Sequence, residues 1–144
     1  MSQERDPLTT ELAHLVHQVA DRLRAEFRRA AGRLELPVTQ AALLARLEEP
    51  TPMRALAEVL SCDASHVTGI VDGLERRGLV ERRAAPKDRR VKLVALTDEG
   101  RRRRAELAEI HRSYTASVFA LPEEERRALR ELLGRVAAGL DAAR

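Results

Sequence analysis

The stretch of sequence that decides the fold reads SCDASHVTGIVDGLERRGLV and occupies residues 61–80. Asp63 can serve as an N-cap, and the apolar residues after it recur at spacings of three and four, which predicts an amphipathic helix that ends near Gly78. These apolar residues are Val67, Ile70, Val71 and Leu74. Upstream, Thr51 as a cap and Pro52 at the first helical position predict a short helix. Two helices joined by a tight turn form a helix-turn-helix.

The periodicity changes directly after this pair of helices. Residues 79–83 and 91–96 are short runs rich in β-branched side chains, and the connector at residues 84–90 is polar and contains a proline. This pattern predicts two antiparallel strands joined by a tip that carries arginines. A β-hairpin that follows a helix-turn-helix is a wing, so the predicted fold class is mainly α with a small β-hairpin wing.

Longer amphipathic helices flank the helix-turn-helix and the wing. One is predicted over residues 7–31, and a shorter helix with Thr39 as its cap follows it. After residues 97–100 a long helix extends to Pro122, which breaks it and begins the last helix. The first and last helices have wide apolar stripes and no further domain to cover them. We therefore expect them to pack against each other and against a second copy of the chain.

The charge of the chain is unevenly distributed. The net charge is +3, but residues 76–104 contain twelve basic and four acidic residues, a net charge of +8, which leaves −5 for the rest. A basic block in an otherwise acidic molecule is typical of a surface that binds a polyanion, although Arg101 to Arg104 alone would fit a solvated helix face equally well. Aromatic residues make up only 2%, which argues against stacking on single-stranded bases. The expected partner is therefore double-stranded nucleic acid.

The second helix of a helix-turn-helix enters the major groove, where its N-terminal residues meet base edges. The candidate base contacts are Ser65, His66, Thr68 and Gly69. Gly73 lies near the edge of the same predicted face. Small and hydroxyl side chains allow a close approach to DNA, although capping and ordinary exposed surface also explain Ser65 and Thr68. The candidate phosphate contacts are Arg54, Arg76 and Arg77.

The tip of the predicted hairpin supplies a second candidate contact. Arg89 or Arg90 can enter a narrow minor groove, where the negative potential is concentrated. We expect Asp88 to hold the guanidinium of Arg90 by a charge-assisted hydrogen bond. The sequence leaves open which of the two arginines enters the groove.

Together the helix and the wing resemble the MarR family of bacterial transcriptional regulators. Residues 61–80 look like the recognition helix of that family, and the wing is similar to its Asp-Arg-Arg…Leu-Thr…Gly signature. The wing residues that carry this resemblance are Pro86, Lys87, Asp88, Arg89, Arg90, Leu93, Leu96, Thr97 and Gly100. The resemblance implies a homodimer of one domain over residues 1–144. Residues 7–35 and 98–144 would form the dimerisation helices, and residues 36–97 the DNA-binding region.

The resemblance also implies a function. Such proteins bind pseudo-palindromic operators in double-stranded DNA, usually repress transcription, and release the DNA when a small aromatic or anionic molecule binds. This chain has His66 where the family often has Asn, and Gly73 where a basic residue is common. The glycine at position 73 leaves an alternative function open. The chain could be a module that keeps the winged-helix shape but binds DNA without sequence preference, or binds proteins.

Other residues are candidates for lesser roles. The candidates for an effector pocket are His14, His17, His111 and Arg112. Cys62, the single cysteine, lies in the turn before the recognition helix, where packing explains it better than redox sensing. The sequence has no metal-ligand cluster, phosphate-binding loop or nucleophile motif, so we expect no enzymatic activity, metal or cofactor. Without a signal peptide or a membrane-length apolar run, we expect a cytoplasmic, nucleoid-associated protein with no membrane partner.

Overall fold

The computed structural model describes residues 6–142. The chain divides into two compact units, Met1–His111 and Arg112–Arg144. The helices of the described residues are α1 (Pro7–Arg33), α2 (Val38–Arg46), α3 (Met53–Leu60), α4 (Ala64–Arg76), α5 (Asp98–Val118) and α6 (Glu123–Ala142). The strands of the same residues are β1 (Thr51–Pro52), β2 (Val80–Ala84) and β3 (Lys92–Leu96). The predicted fold class, mainly helical with a β-hairpin wing, is confirmed.

The wing is an antiparallel hairpin of β2 and β3, and its register places Arg82 opposite Val94. The sheet has a third strand that sequence analysis missed, because β1 pairs with the other edge of β3 and places Thr51 opposite Val94. Pro52 is tolerated in β1 since this strand lies at the edge of the sheet, where its missing N–H disrupts no further pairing. The added strand ties the start of α3 to the wing.

The predicted start of α3 is wrong by one residue, and the predicted start of α2 is wrong by two. Pro52 is the N-cap of α3, and Thr51 Oγ1 donates to the carbonyl of Glu49 at 2.8 Å instead of capping the helix. Pairing with β3 holds Thr51 and Pro52 extended, so the helix begins after them. Likewise Pro37, with φ −56° and ψ 142°, is the N-cap of α2, and Thr39 lies inside its first turn.

The hydrophobic core lies in the first unit, between its helices and the sheet. Fully buried side chains of this core include Leu43, Leu44, Leu47, Leu56, Val94 and Leu107. The four apolar residues predicted for the inner face of α4 are between 0 and 7% exposed, which confirms the predicted orientation of this helix. Because that face is buried, the opposite face of α4 is directed to solvent.

Two helices keep apolar side chains in solvent. On α1 the stripe of Leu8, Leu12, Leu15, Val16 and Val19 is 43–61% exposed, and on α6 the stripe of Leu132, Leu133, Val136 and Leu140 is 44–68% exposed. The packing of these two helices against each other and against a second copy of the chain stays a prediction. Across the same residues, no helix combines the length and the apolarity that crossing a membrane requires.

The wing base is the place where Gly78 and Leu79, between α4 and β2, meet Thr97 and Gly100, between β3 and α5. Thr97 Oγ1 donates to the Gly78 carbonyl at 2.6 Å and accepts the Gly100 N–H at 3.0 Å, while the Thr97 N–H donates to the Leu79 carbonyl at 3.1 Å. A Cβ on Gly100 would lie 1.9 Å from the Leu79 oxygen, so the backbones approach too closely for any other residue. Gly78 itself has φ +70°, which favours glycine.

Candidate nucleic-acid interface

The start of α4 is held by Asp63, as predicted. Its carboxylate accepts the backbone N–H of His66 at 2.8 Å and the hydroxyl of Ser65 at 2.7 Å. These two hydrogen bonds, chiefly the one from Ser65, lower the pKa of Asp63 below its usual value. Thr68 Oγ1 donates to the carbonyl of Ala64 at 2.9 Å. Both hydroxyl protons are therefore used inside the helix, and each hydroxyl oxygen keeps lone pairs that can accept.

The predicted contact residues of α4 share an exposed surface opposite the buried face. The exposed candidates are Ser65, His66, Thr68, Gly69, Arg76 and Arg77, and Arg54 on α3 is exposed as well. A Cβ added to Gly69 would have no neighbour within 4 Å, so this glycine leaves open space over the helix backbone. The N-terminal half of the surface carries small side chains, and its C-terminal end carries two arginines.

Gly73 does not belong to this surface, which corrects the sequence prediction. It is buried against α2, and a Cβ at this position would lie 2.2 Å from Nε2 of Gln40. The side-chain oxygen of Gln40 is itself buried without a hydrogen-bond partner among the described residues. A basic residue at position 73 would have to displace Gln40 before it reached solvent. Because only the end of the flexible Gln40 side chain covers Gly73, a larger side chain at this position could be accommodated by a shift of Gln40.

The wing tip, residues 86–90, is exposed throughout. The prediction that Asp88 holds the guanidinium of Arg90 is wrong. The Asp88 carboxylate accepts the backbone N–H of Arg90 instead, at 3.0 Å. The Asp88 carbonyl also accepts the N–H of Val91 at 3.1 Å. A short aspartate side chain readily bonds the backbone two residues on, and this turn leaves the side chains of Arg89 and Arg90 without an ion pair among residues 6–142.

Ion pairing divides the basic block into two groups of six. The cations paired with carboxylates are Arg82, Arg83, Arg101, Arg102, Arg103 and Arg104. Those without an ion pair within residues 6–142 are Arg76, Arg77, Lys87, Arg89, Arg90 and Lys92. The unpaired group lies at the end of α4 and at or beside the wing tip. The net charge of +8 therefore overstates the positive charge that the block has available for a polyanion. The available charge lies at the end of α4 and around the wing tip.

A cleft of about 930 Å³ opens in the first unit between α1, α2 and α5. Its apolar wall includes Leu23, Phe27, Val38, Ala42, Leu96 and Leu107. Its basic lining residues are Arg24, Arg28, Arg46, Arg101, Arg104 and His111. Arg28 and Arg46 make no ion pair with the described residues. The cleft therefore combines an apolar wall with available positive charge.

The predicted effector residues are not brought together. His111 lines this cleft, whereas His14 and His17 are exposed on α1 and do not. Arg112 belongs to the second unit, where it lines a depression of about 500 Å³ beside the α5–α6 turn. Sequence analysis missed the cleft arginines, although the spacing of Arg24 and Arg28 with Leu23 and Phe27 was a visible signal.

Cys62 has the packing role that its position favours. It is half-buried against the core, and its backbone N–H donates to the Ala57 carbonyl at 3.1 Å, which closes the turn between α3 and α4. Among residues 6–142, no group of three or more His, Cys, Asp or Glu side chains is arranged to hold a metal ion.

These elements define a class of protein. A helix-turn-helix with its second helix exposed at the N-terminal end, followed by a hairpin with an unpaired basic tip, is the architecture of a winged helix-turn-helix DNA-binding protein.

Comparisons with known proteins identify the family within that class. Residues 36–92 match the model of the MarR family. The uncharacterized HTH-type transcriptional regulator YdgJ of Bacillus subtilis is 38% identical over 85 residues, which span 56% of this chain but only 50% of that protein. CouR from Rhodococcus jostii RHA1, bound to p-coumaroyl-CoA, has a similar structure (TM-score 0.75, 29% identity) over 92% of this chain and 95% of its own. A probable transcriptional regulator from Pseudomonas aeruginosa has a similar structure (TM-score 0.69, 32% identity) over 90% of this chain and 98% of its own.

The matched segment contains the helix-turn-helix and nearly all of the wing, and the structural matches extend over both units. The helix-turn-helix and wing of the chain, residues 36–92, belong to the MarR family of DNA-binding transcriptional regulators.

Proposed function

We propose that this chain works as a homodimer that binds a pseudo-palindromic operator in double-stranded DNA, represses transcription there, and leaves the DNA when a small organic anion binds. The observation that carries the proposal is the division of the basic block. Its unpaired cations lie only at the end of α4, at the wing tip and beside it, which are the parts that a winged helix-turn-helix applies to DNA.

Base reading falls to the start of α4. Since the protons of Ser65 and Thr68 are donated within the helix, these hydroxyls meet DNA as acceptors, which suits the amino groups of adenine and cytosine in the major groove. Gly69 lets the backbone approach, and His66 lies beside it. The residues that bind phosphates are Arg54, Arg76 and Arg77. At the wing tip, Asp88 shapes the turn from which Arg89 and Arg90 reach the minor groove.

The exposed apolar stripes of α1 and α6 support the proposed dimerisation. Stripes as exposed as these are covered in stable proteins by a partner surface. In the proposed dimer residues 7–35 and 98–144 supply the interface and residues 36–97 bind DNA. Two copies of α4 would then lie about 34 Å apart, one turn of the double helix.

The cleft of the first unit is the proposed effector site. Its apolar wall suits an aromatic or acyl group, while Arg28, Arg46 and His111 suit an anion. The similarity to CouR, which was solved with p-coumaroyl-CoA, supports an organic anion as the ligand class.

The same cleft is linked to the DNA-binding elements by two arginines. Arg101 donates to the carbonyl of Leu96 at the end of β3 at 3.1 Å, and Arg104 donates to the carbonyl of Ala45 in α2 at 3.4 Å. An anion that recruits these guanidinium groups competes with both hydrogen bonds. Ligand binding would in this way shift the positions of α2 and the wing.

The operator is tested by selection from a library of random duplexes. We expect enrichment of an inverted repeat with half-sites one helical turn apart, and the Thr68→Ala variant should change the preferred bases without changing the salt dependence of binding. A library that yields no preferred sequence would favour the alternative, a non-specific or protein-binding module.

The effector site is tested by a thermal-shift screen of small aromatic acids, since a ligand of the folded state raises the apparent Tm. A compound that raises Tm should also release the selected duplex, and Arg28→Met should weaken both effects. Arg22→Met is the matched control, because Arg22 is exposed on α1 but does not line the cleft. If Arg28→Met and Arg22→Met weakened the rise in Tm and the release of the duplex equally, the cleft would not be the effector site. A ligand that raises Tm but leaves DNA binding unchanged would also contradict this assignment.

A further inference from the structure

The exposed surface of α4 carries two carboxylates that do not suit a DNA-binding helix. Asp72 follows Thr68 by four residues and Glu75 follows Asp72 by three, so both continue the stripe that begins at Ser65 and Thr68. Carboxylates beside a phosphate backbone lower the affinity for DNA by like-charge repulsion. Neither residue belongs to the basic block at residues 76–104, and sequence analysis gave them no role.

Both carboxylates are bound by one arginine from the wing. Arg82 lies on β2, on the same face of the strand as buried Val80. One guanidinium nitrogen donates to Asp72 Oδ1 at 2.5 Å, and another donates to the carboxylate of Glu75. Its side chain is 27% exposed, the least of the arginines of the hairpin strands. The hydrogen bond to Asp72, opposed by partial burial, raises the pKa of Arg82, so its charge is permanent.

We infer that Arg82 is a positioning residue for DNA binding, which acts through Asp72 and Glu75 as their internal counter-ion and makes no contact with DNA itself. The inference rests on the proposed use of the exposed α4 surface in DNA binding. Without Arg82, two negative charges stand on the surface that approaches the phosphates. With Arg82 in place, the three side chains of Arg82, Asp72 and Glu75 together carry a net charge of −1, which lies close to β2.

The alternative role for Arg82 is a direct phosphate contact, and charge-matched variants distinguish the two. Arg82→Met removes the counter-ion and leaves both acids. The triple variant Arg82→Met/Asp72→Asn/Glu75→Gln removes the arginine and the two charges together, so it contains no uncompensated carboxylate. Arg82→Lys keeps the positive charge with a different geometry.

The experiment measures the Kd of each full-length variant for a fluorescein-labelled random-sequence 30-base-pair duplex at low salt, with Tm recorded in parallel. We expect Arg82→Met to lose about tenfold in affinity. The triple variant should return to within about threefold of the wild type with the same salt slope, and Arg82→Lys should stay within about threefold. If Arg82→Met does not fold, the triple variant and Arg82→Lys still distinguish an internal counter-ion from a direct phosphate contact.

A triple variant that binds at least tenfold more weakly than the wild type, with a lower salt slope, would overturn the inference and make Arg82 a phosphate ligand. A lysine variant as weak as the methionine variant would overturn it as well. Binding to a random duplex does not depend on operator recognition. A failure to select an inverted repeat would therefore count against the proposed function and leave this comparison intact.

Discussion

The two ends of the wing differ in what holds them. At the base, Thr97 is hydrogen-bonded to the loop at Gly78 and to the start of α5, and Gly100 lies against the Leu79 carbonyl. At the tip, an aspartate turn fixes only the backbone, and the arginine side chains have no ion pair among the described residues. The difference indicates that the base of the hairpin contributes to stability and its tip to DNA binding. Substitutions at the base should affect stability, and substitutions at the tip should affect DNA binding.

The largest effect is expected at the base, from Gly100→Ala. The added Cβ would overlap the Leu79 oxygen, a backbone atom that cannot move aside without opening the wing base. We expect a loss of about 3 kcal/mol or more in the free energy of unfolding, measured by denaturant titration. Gly134→Ala on α6 is the control, because its Cβ has no neighbour within 4 Å. A Gly100→Ala protein as stable as the control would show that the base is not closely packed.

The next largest effect is expected at the tip, from Arg89→Ala/Arg90→Ala. We expect a loss of about hundredfold in affinity for the selected duplex, with an unchanged Tm, because both side chains are exposed and unpaired. The control is Arg102→Ala/Arg127→Ala, which removes two arginines that pair with Glu99 and Glu123. If the two double variants lost the same affinity, net charge and not the wing tip would govern binding.

A smaller effect at the base is expected from Thr97→Val, which keeps the shape of the side chain and removes its hydroxyl. The Gly78 carbonyl and the Gly100 N–H then lose their partner, at a cost of about 1.5 kcal/mol. Thr39→Val, at an exposed position of α2, should change stability by less than about 0.5 kcal/mol. DNA affinity of the folded Thr97→Val protein should match that of the wild type, and a selective loss of binding would break the division between base and tip.

The smallest effect is expected from Asp88→Asn at the tip. Asparagine preserves the hydrogen bond to the Arg90 backbone and removes a negative charge near DNA, so affinity should rise by about threefold. Asp88→Ala, which loses the turn as well, should not share this gain. Weaker binding by Asp88→Asn would restore the view that the carboxylate holds the Arg90 guanidinium.

What the sequence could predict depended on local patterns. The inner face of α4, the Asp63 cap and the two strands of the hairpin follow from spacing and turn chemistry within a few residues, and all three are confirmed. The strand β1 was missed, because it exists only through pairing with residues about forty positions away. The helix start that this pairing displaced was wrong for the same reason.

The site followed the same rule. Residue types and charge located the α4 surface and the wing tip, but only the folded chain separates paired from unpaired arginines. Arg82 is bound by Asp72 and Glu75, which lie up to ten residues away. Gly73 and Gln40 are 33 positions apart, so the burial of Gly73 had no local signal. Longer contacts pair Arg82 and Arg104, whereas the other paired arginines of the basic block bind carboxylates within four residues of themselves.

The salt dependence of DNA binding tests the central claim most directly. The Kd of the wild type and of Arg89→Ala/Arg90→Ala should be measured on one duplex between about 50 and 200 mM salt, because the slope of log affinity against log salt counts the phosphates that are neutralised. For a dimer that loses four unpaired cations, we expect the slope to fall by about 3.6. Parallel lines for the two proteins would mean that the wing tip does not contact the DNA.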